Sequence, residues 1–152
     1  MIRKGFEVAR VDDIGADLIA EGRGQRYAVS VKARLFRPGS RESRVTVIEL
    51  DHLRKLGVFA ERFAMIPLLA QVLCLADDQL IHLLLFKAKQ IESVLPAVKN
   101  GYSIRFGPRH IESLSRHPAV DYSCWREELV GGSWFGESAA ICSEPAVDPE
   151  SL

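Results

Sequence analysis

The 152-residue chain has few of the features that usually name a protein's chemistry. No run of 18 or more apolar residues occurs, and the opening MIRKGFEVARVDD has no apolar core of a secretory signal, so the expected setting is the cytoplasm with no membrane partner. Cysteine is scarce: Cys74, Cys124 and Cys142 are odd in number, widely spaced and without a C-x-x-C pair, which fits reduced thiols better than a disulfide framework or a zinc site. There is no G-x-x-x-x-G-K-[ST] loop. The single G-x-G, Gly22 to Gly24, lacks its third glycine and lies between strand-like segments, so nucleotide binding has little support. Gly131-Gly132-Ser133 is followed by Phe135 where a nucleophile elbow needs glycine. The four histidines, His52, His82, His110 and His117, show no H-E-x-x-H spacing, and His82 sits in an apolar run where a packed, hydrogen-bonded ring is expected. No internal repeat appears at periods of 20 to 50 residues.

What is present is enough for a globular core. Hydrophobic residues make up 47% of the chain and charged residues 26%, which predicts a domain over residues 1–136 and a disordered acidic tail over 137–152. The formal net charge is zero, yet the charges are unevenly placed. Between Gly22 and Arg44 seven basic residues (Arg23, Arg26, Lys32, Arg34, Arg37, Arg41, Arg44) face one acid, Glu42, a local excess of +6. The tail has four acids and no base, −4. Clustered Lys and Arg are what a phosphate backbone needs, since counterion release depends on local charge and not on the isoelectric point; a solvated arginine-rich loop is the plain alternative.

The hydrophobic pattern is mixed α/β. Gly5 to Val11 predicts a strand closed by a turn at Asp12 to Gly15; Leu18 to Ala20 and Tyr27 to Lys32 predict two more strands joined at Glu21-Gly22-Arg23-Gly24. Leu53, Leu56, Ala60 and Phe63 predict a helix from about Glu49 to Phe63, with Glu49 and Asp51 in its first turn. Ile66 to Leu75 and Leu80 to Phe86 predict a buried hairpin, with Cys74 in the core. Ile91 to Val98 predicts a helix shortened or bent by Pro96, YSIRF a strand, and Gly107 to His117 a short helix; the stretch up to Gly136 gives no clear element.

Asp17 and the triplet Ser30-Val31-Lys32 then stand out. Metal-assisted hydrolysis of a phosphodiester needs a carboxylate for the ion, a second oxygen donor, and a cation near the charge developing on phosphate. Residues i and i+2 of a strand share a face, so Ser30 and Lys32 can converge with Asp17 across a hairpin, and the Val31 carbonyl adds a ligand. Asp12 and Asp13 read as turn residues, with Asp13 a reserve ligand.

In this placement the stretch resembles the PD-(D/E)XK nuclease superfamily. The run GFEVARVDDIGADLIAEGRGQRYAVSVKAR, a loop, a helix ending FAERF and a strand beginning MIPLLA is similar in order to archaeal Holliday-junction resolvases and other restriction-endonuclease-like proteins, over about residues 5 to 90. The resemblance implies a restriction-endonuclease-like α/β fold, a mixed central sheet flanked by helices. It also implies a metal-dependent DNA endonuclease using Mg²⁺ or Mn²⁺, with Asp17, Ser30 and Lys32 catalytic and Asp17, Ser30 and Val31 on the metal. DNA, branched or damaged forms included, would be the partner, contacted by Arg23, Arg26, Arg34, Arg37, Arg41 and Arg44, and a homodimer fits the pattern. Two positions depart from the family: Ser30 stands where it usually has Glu, which should weaken Mg²⁺ binding, and only Met1 to Lys4 precede Gly5, where the family tends to carry an acidic helix. A nucleic-acid-binding module that has lost catalysis, and a partner-binding protein with no nucleic acid, are the alternatives.

Overall fold

The alternating stretch Gln25–Phe36 forms one strand of 12 residues, β3, and the remaining elements are arranged around it. The computed structural model describes residues 5–13, 15–37, 44–75 and 80–126. Before β3 come β1 (Glu7–Asp13) and β2 (Ala16–Gly22). After it come β4 (Val45–Glu49), α1 (Leu50–Arg62), β5 (Ile66–Leu75) and β6 (Leu80–Lys87). The chain continues through α2 (Ile91–Val94), β7 (Ala97–Val98), β8 (Gly101–Arg105), α3 (Pro108–Ser115) and β9 (Val120–Arg126). Six strands form one sheet in the order β1-β2-β3-β5-β6-β9, and three form a second in the order β4-β8-β7. In the larger sheet β3 and β5 run parallel and every other pair antiparallel, so the connection between β3 and β5 must cross over. β4 and α1 make that crossover. The fold is α/β with a mixed central sheet flanked by helices, as expected.

Strand alternation separates two buried layers. Ala28 of β3 meets Leu56, Phe59 and Ala60 of α1, and the small Ala16 and Ala28 let the helix lie close to the sheet. On the same face Leu69, Leu73, Leu84 and Phe86 pack with Ile48, Ile104, Phe106 and Ile111, so α1, α3 and the small sheet share it. Val29, Leu68, Ala70, Leu83 and Leu85 form the core of the other face.

One glycine fixes how the first hairpin meets α1. Gly15 has φ +124°, and a Cβ there would lie 2.7 Å from the Lys55 carbonyl oxygen and 3.3 Å from Phe59 Cβ. The β1–β2 turn is therefore pressed against the helix, two residues before Asp17.

Several expectations need correction. β1 continues through Asp12 and Asp13, with a register shift between Arg10 and Asp13, so these residues are not a turn; the bulge lets the strand run on to Asp13↔Ala16. β4 had no strand expectation, and Glu49 is its last residue as well as the extended N-cap of α1. Phe63 follows α1 and is 44% exposed; Leu53, Leu56 and Ala60 face inward as expected, and His52 and Phe59 join them. Asp51 does occupy the first turn, where hydrogen bonds from Lys55 and Arg54 lower its carboxyl to about 2. The helix expected over Ile91 to Val98 is one turn, because Leu95 before Pro96 is extended (ψ 142°) and Ala97–Val98 pair with β8. β9 emerges from the stretch without a clear element and forms an edge of the large sheet. The tail at 137–152, with Cys142, lies outside the described residues. No helix among the described residues is long and apolar enough to cross a membrane.

Candidate functional site

Backbone pairing between β2 and β3 runs from Gly22↔Gln25 to Leu18↔Val29, and the next step is taken over by a side chain. Asp17 Oδ2 accepts the Val31 N–H at 2.7 Å and the Ser30 hydroxyl at 3.0 Å. A carboxylate thus occupies the position at which a main-chain carbonyl would continue the ladder. A strand residue's N–H and C=O face the same edge, so the Val31 carbonyl opens toward the edge where β2 has left off.

From α1, His52 reaches down to the same hydroxyl, with Nε2 2.7 Å from Ser30 Oγ. Ser30 has one proton to give, and Asp17 can only accept, so the hydroxyl donates to Asp17 and Nε2–H donates to Oγ. The network therefore assigns the ring proton to Nε2 and leaves Nδ1 as the acceptor. Ser30 is fully buried, and its hydroxyl is used on both sides. Burial first, and the nearby Lys32 charge second, lower the His52 pKa from its usual 6.5, while Asp17 and Glu49 pull it upward. The ring is neutral at neutral pH.

Beside His52 lies a cleft of about 180 Å³, lined by Lys32 and Arg34 of β3, Thr46 to Glu49 of β4, His52 of α1 and Gln71 of β5. Asp17 and Ser30 do not line it; His52, bonded to Ser30, joins the two parts. The structure brings Asp17, Ser30 and the Val31 peptide into direct contact, and Lys32 stands near enough to His52 to shift its titration.

The basic residues are not one patch. Arg23 (φ 54°) and Arg26 are at the β2–β3 turn, where Arg26 lies 3.9 Å from Glu21. Arg37 is at the opposite end of β3, about 35 Å from Arg26 at roughly 3.3 Å per residue. Among the described arginines only Arg34 joins Lys32 in the cleft; Arg44 is exposed just before β4, and Arg41 lies outside the described residues. The basic stretch is drawn out along β3, whose 12 extended residues separate its two ends.

Among the described residues no three His, Cys, Asp or Glu side chains come together to hold a metal. The donors at the Asp17 end are hard oxygens, the carboxylate and the Val31 carbonyl. That set suits a hard cation such as Mg²⁺, which takes one or two carboxylates from a protein and not a full cage.

His52, Glu49 and Gln71 were not singled out as site residues from the sequence. The signal for His52 was available: it precedes Leu56, Phe59 and Ala60 by four, seven and eight residues, which puts it on the buried face of α1. For Glu49 and Gln71 the signals were weaker, a carboxylate closing a valine-rich strand and an amide inside IPLLAQVLCL.

These features define an α/β protein whose hairpin and crossover helix assemble a carboxylate, a buried hydroxyl and a neutral imidazole beside a cleft holding a lysine. No protein-family model matches the chain, and no curated protein matches it. Among solved structures it is similar to a Holliday junction resolvase from the archaeal hyperthermophile Archaeoglobus fulgidus, at 19% sequence identity and a TM-score of 0.48, covering 74% of this chain and 80% of that one.

Proposed function

We propose that the chain is a DNA endonuclease of the PD-(D/E)XK type, hydrolysing phosphodiester bonds at the Asp17–His52–Lys32 site. The observation that carries this reading is the Asp17 carboxylate replacing a backbone acceptor at the β2–β3 ladder, held by Val31 N–H and Ser30 Oγ next to the cleft with Lys32. Asp17 and the Val31 carbonyl would hold Mg²⁺ or Mn²⁺, which when bound supplies positive charge to the phosphate. Ser30 serves as a bridge fixing Asp17 and His52, a different task from the ligand role expected from its place in the motif.

The protein's own groups then divide the proton chemistry. A water oxygen forms a bond to phosphorus as the bond from phosphorus to the leaving sugar oxygen breaks. The water gives up one proton, for which the neutral His52 Nδ1 is the basic acceptor, and the leaving oxygen gains one from the Lys32 ammonium or solvent. Lys32 and Arg34 offset the charge that builds on the phosphoryl oxygens.

The test is nicking or linearisation of plasmid and branched DNA by purified protein across Mg²⁺ and Mn²⁺ concentrations. Asp17→Ala and Lys32→Ala should each abolish cleavage and spare most DNA binding; cleavage surviving both places the activity elsewhere. A second reading, a nucleic-acid-binding module without catalysis, is favoured by the neutral Ser30, whose hydroxyl is engaged by Asp17 and His52. Binding without cleavage under every metal condition would select it.

A further inference from the structure

Gln71 sits in the middle of β5, a strand that is otherwise apolar, and its side chain is fully buried. It lies opposite Lys32 in the parallel β3–β5 register. Its Nε2 donates to the Lys32 carbonyl oxygen at 2.9 Å. Turning the amide over would set two oxygens against each other, so this bond also fixes which end is nitrogen. The other end, Oε1, is buried with no hydrogen-bond donor among the described residues.

A buried amide oxygen without a donor carries a desolvation cost that offsets the gain at Nε2, which makes the short bond to Lys32 and a long one, 3.4 Å, to the Val72 carbonyl. Leu69, Leu73 and Leu84 neighbour the position on the sheet, with the cleft on its other side, and an apolar side chain of similar volume would meet those leucines without leaving a buried amide oxygen unpaired. Stability alone is therefore a poor reason for glutamine at this place. A carbonyl oxygen has two lone pairs, so the amide adds a donor beyond the strand pairing and fixes the Lys32 peptide against β5.

We infer that Gln71 is a positioning residue that clamps the Lys32 main chain so that the lysine side chain enters the cleft in its working direction. The inference rests on the nuclease reading above and names a residue that the motif does not contain. Side-chain direction on a strand follows the orientation of its peptide planes, and a loosened Lys32 peptide would let the ammonium wander from the phosphate. Misplacement by about 1 Å at a catalytic group can cost on the order of 100-fold in rate.

The experiment compares wild type with Gln71→Met, which keeps the volume and removes both polar atoms, in the full-length protein. Expected are a melting temperature no lower than wild type, a changed carbonyl ¹³C resonance for Lys32, and kcat for DNA cleavage reduced about 10- to 100-fold with KM unchanged. Gln71→Asn keeps the amide but is one methylene too short to reach the carbonyl. It should lower kcat in the same way, and it keeps the test open should Gln71→Met fail to fold. Wild-type kcat and KM in either folded variant, or an unmoved Lys32 carbonyl resonance, overturn the clamp and leave the nuclease reading standing. If wild type cleaves no DNA under any metal condition, the nuclease reading fails, and the clamp falls with it because Lys32 then has no reaction to serve.

Discussion

Replacing Ser30 with alanine should destabilise the protein by about 2 kcal/mol, and the size follows from the two bonds its hydroxyl makes. The side chain is fully buried, and alanine differs from it by one oxygen, so packing changes little. On one side the 3.0 Å bond to Asp17 is lost; a hydrogen bond to a charged acceptor is worth roughly 1.5–3 kcal/mol, but Asp17 is exposed and keeps the Val31 N–H at 2.7 Å, so water recovers part of it. On the other side the half-buried His52 Nε2–H loses its acceptor at 2.7 Å, a further loss of about 1 kcal/mol. Urea unfolding at pH 7.5 reads the sum: with a slope of roughly 1–3 kcal/mol/M, the midpoint should fall by about 1 M at constant slope. The double mutant with Asp17→Ala should show a coupling energy of about 1 kcal/mol, since the two residues touch. A change below about 0.5 kcal/mol, or additive single mutants, would refute the bridge. Ser30→Glu, which the motif alone recommends as restoring a ligand, should be worse than alanine. It forces three more heavy atoms into a filled site, costing about 1–3 kcal/mol, and sets a second carboxylate against Asp17.

Stability should fall as the pH drops below about 6.5, because the unfolded chain then protonates His52 near its ordinary value while the folded chain, with its pKa lowered, binds that proton less readily. The loss ends once the pH passes below the folded pKa, and His52→Gln should flatten the slope in that window in urea titrations between pH 7.5 and 5. Gly101→Ala would drive a Cβ into the Ile48 carbonyl of β4 and should cost about 3 kcal/mol, whereas Gly57→Ala meets nothing within 4 Å in the middle of α1 and should gain about 0.5–1 kcal/mol, both read by thermal unfolding. DNA binding measured against salt should lose about 0.9 from its log–log slope in Arg34→Ala and be nearly unchanged in Arg23→Ala, since only the first residue lines the cleft; equal effects would mean the nucleic acid tracks the hairpin tip as well.

The order of strands and the main helix were legible because each rests on local chemistry. Period-two alternation placed β3, the Gly-rich turn joined it to β2, and two long apolar runs gave the β5–β6 pair. β4 and β9 were harder. Val45–Glu49 is short, with Val45 and Val47 exposed, and its place is decided by pairing with Gly101–Arg105 some fifty residues later. Val120–Arg126 pairs, among the described residues, with β6 alone, and its exposed positions include Asp121 and Arg126, so its apolar pattern is weak. The strand Glu7–Asp13 ran past its expected end because a bulge accommodates two aspartates that, read locally, favour a turn.

The site divides along the same line. Asp17 and Ser30 could be paired from the sequence because one hairpin sets their strands side by side; the structure joins these two directly, while Lys32, two residues further along β3, lines the adjoining cleft. His52 belongs to them through a longer route. Gly15 lets the hairpin turn touch Lys55, Ala16 and Ala28 let α1 approach the sheet, and only that closeness carries the first inward residue of the helix down to a buried serine. A larger side chain at residue 28 would leave the local pattern of β3 intact and lift His52 away from Ser30. The motif can therefore be written in a dozen residues, but the geometry that gives its serine a partner is set by glycine and alanine positions whose contribution is the volume they do not occupy.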